Sequence, residues 1–336
     1  MTAADLRVSV VVPTLDAGDD LARLVSSLDR QTLSPDEFEL VLVDGGSTDG
    51  TEHGIDQFAL LRPNVRAAHA PALGEAGQPR SLGLGLARGR YVCFLGQEDV
   101  LGREALQHMT AYADEHHSDV LLARTLDDRG TPAAPTLFAG NRPRIEASWP
   151  PLWDLGAVRG LVRREILQGS AVRYLDATDP FGELAFFVDA SLAAGTVSVI
   201  GDYACIHGSA RRSPDVRAVE PDTRRTIVEH MLDAIEAHVP PGPDRDELTA
   251  LCSDHVLAEL ADLSQTEPPA HPDVLQAAVD VFASRAVRAV RASGREVLPA
   301  RRVLAFLLRE GRTDDFRRLA RALTAVSADQ IGRAHV

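Results

Sequence analysis

The chain contains no lysine, and all 35 of its basic residues are arginine. Any group that grips a phosphate must therefore be a guanidinium, whose planar fork suits bidentate contacts. Cysteine is scarce as well. Cys93, Cys205 and Cys252 lie far apart and form no C-x-x-C, which speaks against a structural zinc site and fits a reducing, cytoplasmic setting. No apolar run approaches the ~20 residues needed to span a bilayer, which leaves peripheral membrane contact open. The N-terminus lacks a basic stretch followed by a long apolar one, so no signal peptide is expected. Positive charge is in deficit: the net charge is −14, which argues against nucleic-acid binding across the whole surface. No G-x-G-x-x-G follows the first predicted strand, and Gly83-Leu84-Gly85 falls inside a helical pattern, so a nicotinamide dehydrogenase is a poor reading. His116-His117 and His207 have no partners at metal-ligand spacing.

What is present begins at Val8. The run Val8-Ser9-Val10-Val11-Val12, closed by Pro13, has the β-branched content and length of a buried strand. Leu21, Leu24, Val25 and Leu28 mark one face of an amphipathic helix over Asp19–Arg30. Glu39–Val43 reads as a second strand, ending at Asp44 before the turn Gly45-Gly46-Ser47-Thr48-Asp49-Gly50. Strand, helix and strand at this length make a parallel unit with a right-handed crossover. The carboxyl ends of its strands lie side by side, where open α/β sheets bind ligands. Pro13, Thr14, Leu15, Asp16 and Asp44 are expected to line that crevice. By itself this pattern also allows Asp44 and Ser47 merely to satisfy turn and helix-cap amides.

Further along, strands are expected at Asn64–Ala68, Tyr91–Leu95 and Asp119–Arg124, with helices at Gly74–Ala87 and Arg103–Glu115. Asp127–Pro151, rich in Pro, Gly and Arg, reads as a long loop of the kind that often carries function. Val158–Gln168, Val172–Tyr174, Glu183–Ala194 and Val197–Tyr203 read as short mixed elements. The alternation predicts a doubly wound α/β sheet. From about Val219 the pattern turns helical, over 224–237, 245–263, 274–292, 303–309 and 314–326, with proline clusters between. Two domains are expected, residues 1–215 and a helical appendage at 219–330. The last six residues, Ile331-Gly332-Arg333-Ala334-His335-Val336, match what a common sequencing adapter encodes. Residues 331–336 are accordingly expected to be a foreign tail on a truncated chain.

The segments PTLD and VDGGSTDGT resemble the nucleotide-sugar site of family 2 glycosyltransferases of GT-A fold, which usually show P-T-Y-N and D-D-G-S-T-D-G-T. In the layout of its segments the chain is similar to the bacterial poly(ribitol phosphate) N-acetylglucosaminyltransferases within that family. The resemblance implies a GT-A doubly wound mixed sheet and a UDP-sugar donor. It places Asp44 on the uracil imide. Arg80, followed by Gly83, Ala87 and Gly89 at the family's spacing, falls on the uridine or its phosphates. It further implies a divalent cation, Mg²⁺ or Mn²⁺, at the family's F-L-D-A-D-D. Here that segment is Phe94-Leu95-Gly96-Gln97-Glu98-Asp99, with Gly96 for the first aspartate and Glu98 for the third. Glu98 and Asp99 remain as metal ligands, and the substitutions weaken the metal site. Arg211 or Arg212, after Asp202-Tyr203, matches an arginine that approaches the diphosphate.

Transfer with inversion needs a carboxylate to take the acceptor's proton. The family uses the aspartate of a G-E-D segment, and this chain has Gly182-Glu183-Leu184. Glu183 is then the candidate base, with Asp179 or Asp176 as substitutes. The expected activity is transfer of a sugar, N-acetylglucosamine from its UDP conjugate, onto an anionic cell-wall polyol phosphate or another glycan. Arg142, Arg144 and Arg159 are candidates to meet such an acceptor. The alternative is a degenerate domain that binds a nucleotide-sugar, a glycan or a partner enzyme without turnover.

Overall fold

The structure is a computed structural model that describes residues 6–70, 77–127, 129–153, 155, 157–169, 180–208 and 221–263, with short pieces between 306 and 319. The chain divides into two compact units, one of Met1–Thr178 with Gly182–Pro214, the other of Asp179–Phe181 with Asp215–Val336.

The first unit is built outward from β1 (Val8–Thr14), whose apolar side chains are buried on both faces of the sheet. β2 (Phe38–Asp44) and β4 (Tyr91–Phe94) flank it in parallel, and β3 (Val65–His69) lies outside β2. Two-sided burial accounts for the continuous apolar runs in place of polar alternation. α1 (Gly18–Asp29) carries Asp19 and Asp20 in its first turn, where the helix dipole favours negative charge, and buries Leu21, Leu24, Val25 and Leu28. The expected helix over Asp19–Arg30 is thus present. α2 (Thr51–Leu61) has no counterpart in the sequence reading. Its start is fixed by the Asp49 carboxylate, which accepts the Thr51 N–H at 2.9 Å, and only Thr51 and Ile55 are buried along it. So small a buried face leaves little periodicity to read.

α3 (Gly77–Leu86) crosses over β1 and β2. A Cβ on Gly83 would sit 2.3 Å from Val11 Cγ1, and one on Gly89 would sit 2.5 Å from the Ser9 amide nitrogen. The missing side chain at Gly83 lets α3 touch β1, and that at Gly89 lets the turn after α3 lie against the start of β1. Beyond β4 the sheet becomes mixed. β9 (Gly160–Arg163) runs antiparallel between β4 and β6 (Val120–Ala123), β10 (Val197–Ile200) is parallel to β6, and β8 (Arg142–Ile145) closes the far edge antiparallel to β10. Among the described residues the order is β3-β2-β1-β4-β9-β6-β10-β8. β8 lies within the stretch expected to be loop, and the short α5 (Pro150–Trp153) starts at its end. β8 is an exposed edge strand, and alternation of Arg and Pro carries no apolar signal. A second, small sheet of β5 (Val100–Leu101), β11 (Ile206–His207) and β7 (Thr125–Leu126) adjoins the head of β4. α4 (Ala105–Glu115), α6 (Arg164–Gly169) and α7 (Pro180–Ala193) complete the helices described in this part of the chain. The short element expected at Val172–Tyr174 lies outside the described residues.

In the second unit α8 (Pro221–His238) packs on α9 (Pro243–Leu263), with Ile227, Met231 and Ile235 buried in the first and Leu248, Leu251 and Val256 in the second. Arg245, in the first turn of α9, donates to the carbonyls of Val239 (2.6 Å) and Glu236 (3.0 Å) and so satisfies the open end of α8. The expected helix over 274–292 and the tail 331–336 lie outside the described residues, and so do parts of the helices expected over 303–309 and 314–326. No helix among those described is long and apolar enough to cross a membrane.

Candidate active site

The parallel register sets Thr14 beside Asp44, so the loops after β1 and β2 leave the sheet together. They are cross-linked by side chains the sequence placed in its turn motif. The Asp16 N–H donates to Ser47 Oγ at 2.9 Å, and that hydroxyl donates to Asp44 Oδ1 at 2.5 Å. Asp16 itself has φ +46°, a left-handed conformation that aspartate tolerates, and its carboxylate accepts the Thr48 N–H at 2.7 Å. Asp44 is buried and also accepts the N–H groups of Gly46 (2.9 Å) and Ser47 (3.1 Å). Both oxygens of Asp44 are therefore committed to the turn, in the manner the bare turn chemistry allowed. Hydrogen bonds from Thr51 hold the Asp49 carboxyl below its usual pKa. Thr14 is buried with its hydroxyl near the Val43 carbonyl, Pro13 is half-buried, and Leu15 is exposed at the mouth.

The loop after β4 brings the acids. Gln97 grips the backbone of Leu15 on the neighbouring loop through both ends of its amide. Asp99 is wholly buried. Its Oδ2 accepts the Gly96 N–H at 2.7 Å and Nη1 of Arg159 at 2.6 Å. Its Oδ1 is buried with no hydrogen-bond partner and faces the Gly208 backbone, where a Cβ would come within 2.6 Å. Asp99 raises the Arg159 pKa, and the charges of Glu183 and Glu98 add to it. Arg159 had been a candidate for the acceptor together with Arg142 and Arg144; the structure separates it from them. Arg142 and Arg144 lie on the exposed β8, Arg142 with its guanidinium 4.5 Å from the Trp149 ring centre, and Arg159 is held on Asp99.

Glu98 is half-buried, and its carboxylate lies over Gly96, about 3.0 Å from where a Cβ on that glycine would be. The longer acid thus fills the space that an aspartate at 96 would take. Burial pushes its carboxyl pKa up, and Asp99 adds to the rise while Arg159 opposes it. For a divalent cation the donor set is poor. Among the described residues no three His, Cys, Asp or Glu side chains come together in a metal-ligating arrangement. Asp99 Oδ1, which has no hydrogen-bond partner, is closed to solvent, whereas Mg²⁺ sheds its waters reluctantly. Glu98 and Asp99 therefore do not suit the cation expected on them.

Glu183 stands in the first turn of α7, and Arg80 on α3 donates to it at 2.6 Å. Leu184, in the place of the family's aspartate, is fully buried in the core. The structure brings together Arg80, Glu183, Arg159, Asp99 and Glu98, a constellation of two guanidiniums and three carboxylates. Asp176, Asp179, Arg211 and Arg212 lie outside the described residues. Sequence reasoning missed the roles of Gln97 and of Arg159 on Asp99. The contact joins residues 60 apart, and nothing local in the sequence marks it; the absence of lysine says only that a basic side chain meeting Asp99 other than histidine is an arginine.

Residues 9–148 match the model of glycosyl transferase family 2. The poly(ribitol-phosphate) beta-N-acetylglucosaminyltransferase TarS of Staphylococcus aureus is 27% identical over 207 residues, covering 61% of this chain and 36% of TarS. A poly(ribitol-phosphate) beta-glucosyltransferase of Bacillus spizizenii is 24% identical over 236 residues, covering 69% of this chain and 37% of the relative. The chain thus spans little more than a third of the length of these relatives. In structure it is similar to S. aureus TarS 1–349 in complex with UDP-GlcNAc, with a TM-score of 0.79 at 22% identity over 95% of this chain and 92% of that one. The fold is the GT-A fold of TarS, a mixed α/β architecture on a large, mostly parallel sheet. The likeness to glycosyl transferase family 2 lies in residues 9–148 of the chain.

Proposed function

We propose that the chain transfers a sugar from a UDP conjugate to a polyol phosphate of the poly(ribitol phosphate) kind, with N-acetylglucosamine as the sugar. The observation that carries the reading is the convergence of Arg80, Arg159, Glu98, Asp99 and Glu183 in the crevice beside β1 and β4. Support for the donor and acceptor comes from relatives named for N-acetylglucosaminyl and glucosyl transfer to poly(ribitol phosphate). In this reading Pro13, Thr14, Leu15 and Asp44 hold the nucleoside, and Arg80, with Arg211 or Arg212, holds phosphate. The acceptor hydroxyl oxygen bonds to the anomeric carbon as the bond from that carbon to the phosphate oxygen breaks. The hydroxyl proton passes to a carboxylate, Glu183 or Asp179, and the leaving UDP takes up the negative charge. Glu183 reaches that role only by leaving Arg80, whose guanidinium occupies its Oε1 at 2.6 Å.

A second reading, a domain that binds the donor without turnover, draws on the apolar, buried Leu184 and on the pairing of Glu183 with Arg80. UDP release from UDP-GlcNAc and UDP-glucose, with and without poly(ribitol phosphate), separates the two. Acceptor-stimulated release that Glu183→Gln abolishes supports transfer with Glu183 as base. Donor binding without release supports the second reading, and neither binding nor release removes both.

A further inference from the structure

We propose that Arg159, fixed on Asp99, supplies the positive charge that faces the donor's diphosphate, so that donor binding needs no divalent cation. The proposal rests on the reading of the chain as a nucleotide-sugar glycosyltransferase. Acids at the head of the fourth strand in this fold would ordinarily serve to hold a cation there. In this chain the acids are rearranged around an arginine. Gly96 offers no oxygen, and the Glu98 carboxylate is folded back over it. Asp99 is pinned through Oδ2 by the Gly96 amide and by Arg159. A cation on the same carboxylate would meet a guanidinium already in place, and two positive charges at such separation repel strongly.

Arg159 has the attributes of a phosphate ligand. Only Nη1 is engaged, and its remaining N–H groups make no hydrogen bond to the described residues. Its side chain keeps 32% of its surface open, against 1% for Asp99. A buried carboxylate anchors the guanidinium through Nη1 and leaves its other donors for a phosphate, as preorganised phosphate sites require. Asp99 then acts as a positioning residue for Arg159. With no lysine in the chain, a second fixed cation in the crevice has to be an arginine.

Calorimetric titration of the full chain with UDP and with uridine, each in Mn²⁺ and in EDTA, tests this. UDP affinity is expected to be the same in both buffers. Arg159→Met is expected to weaken UDP by about tenfold or more, the size of one lost charge-assisted hydrogen bond, and to leave uridine unchanged; Arg159→Lys should recover part of the loss. UDP binding that requires Mn²⁺ overturns the proposal and leaves the glycosyltransferase reading intact. Equal loss of UDP and uridine in Arg159→Met also overturns it, since that marks a purely structural residue. Failure of the wild-type chain to bind either compound in either buffer defeats the underlying reading. The wild-type comparison stands whether or not Arg159→Met folds.

Discussion

Gln97 and Leu15 hold each other in both directions: the Leu15 N–H donates to Gln97 Oε1 at 2.8 Å, and Gln97 Nε2 donates to the Leu15 carbonyl at 3.1 Å. A side-chain amide here imitates a strand partner and ties the loop after β1 to the loop after β4. Leu15 is exposed where the nucleotide would lie, so its backbone has little else to fix it. Gln97→Ala is expected to cost about 1 kcal/mol of folding stability, since both bonds are partly exposed. Loss of a preorganised loop should weaken UDP by about fivefold. Denaturant unfolding and UDP titration of the variant check the two figures, and unchanged affinity would remove the loop from the binding site.

Two glycines of α3, two residues apart, are expected to respond in opposite directions. A Cβ on Gly83 collides with Val11, whereas one on Gly85 meets nothing within 4 Å. Gly83→Ala should destabilise by about 1–3 kcal/mol through overpacking against the central strand. Gly85→Ala should stabilise by roughly 0.5–1 kcal/mol through helix propensity. Urea midpoints of both variants test the pair, and a stable Gly83→Ala would mean that α3 does not sit on β1 as described.

The same two glycines show what the sequence made legible. The β1–α1–β2 unit could be read because it combines buried β-branched runs with a strong helical face, whereas the spacing of Gly83, Ala87 and Gly89 was legible only as a family motif, and the close approach of Gly83 to Val11 is seen in the structure alone. α2 escaped because it buries Thr51 and Ile55 alone, and β8 because an exposed edge of Arg-Pro-Arg has no periodic apolar signal. At the site, Asp44 and Asp99 were visible as motif positions; turn chemistry allowed the partners of Asp44, but nothing local gave the partner of Asp99. The Asp99–Arg159 contact depends on β9 entering the sheet antiparallel beside β4, a topological fact with no local signature.

Native thiol chemistry should be silent. All three cysteines are buried. Burial pushes the pKa of Cys93 and of Cys252 up to about 12 and that of Cys205 well above its ordinary value. With so little thiolate at pH 8, none is expected to react with an aromatic disulfide reagent in the folded chain, and all three should react in denaturant. Rapid labelling of any one without denaturant would show that its part of the core opens readily.

Glu98 should make the fold sensitive to pH in a direction opposite to that of an ion-paired acid. Burial and the neighbouring Asp99 raise its carboxyl pKa above the ordinary 4.5, so the folded chain binds this proton more tightly than the unfolded one does. Ionised Glu98 therefore weakens the fold at neutral pH. The penalty fades as pH falls through the raised value, and it is gone below the ordinary one. Glu98→Gln keeps the shape and removes the charge, so it is expected to unfold at a higher temperature than wild type at pH 7. The gap should narrow steadily toward pH 4, because the other titrating groups are common to both chains and cancel in the difference. A gap that stays constant with pH would assign the gain to packing over Gly96 and not to charge. A variant less stable than wild type at pH 7 would mean that ionised Glu98 is held by a favourable partner, which would restore it as a candidate ligand for a cation.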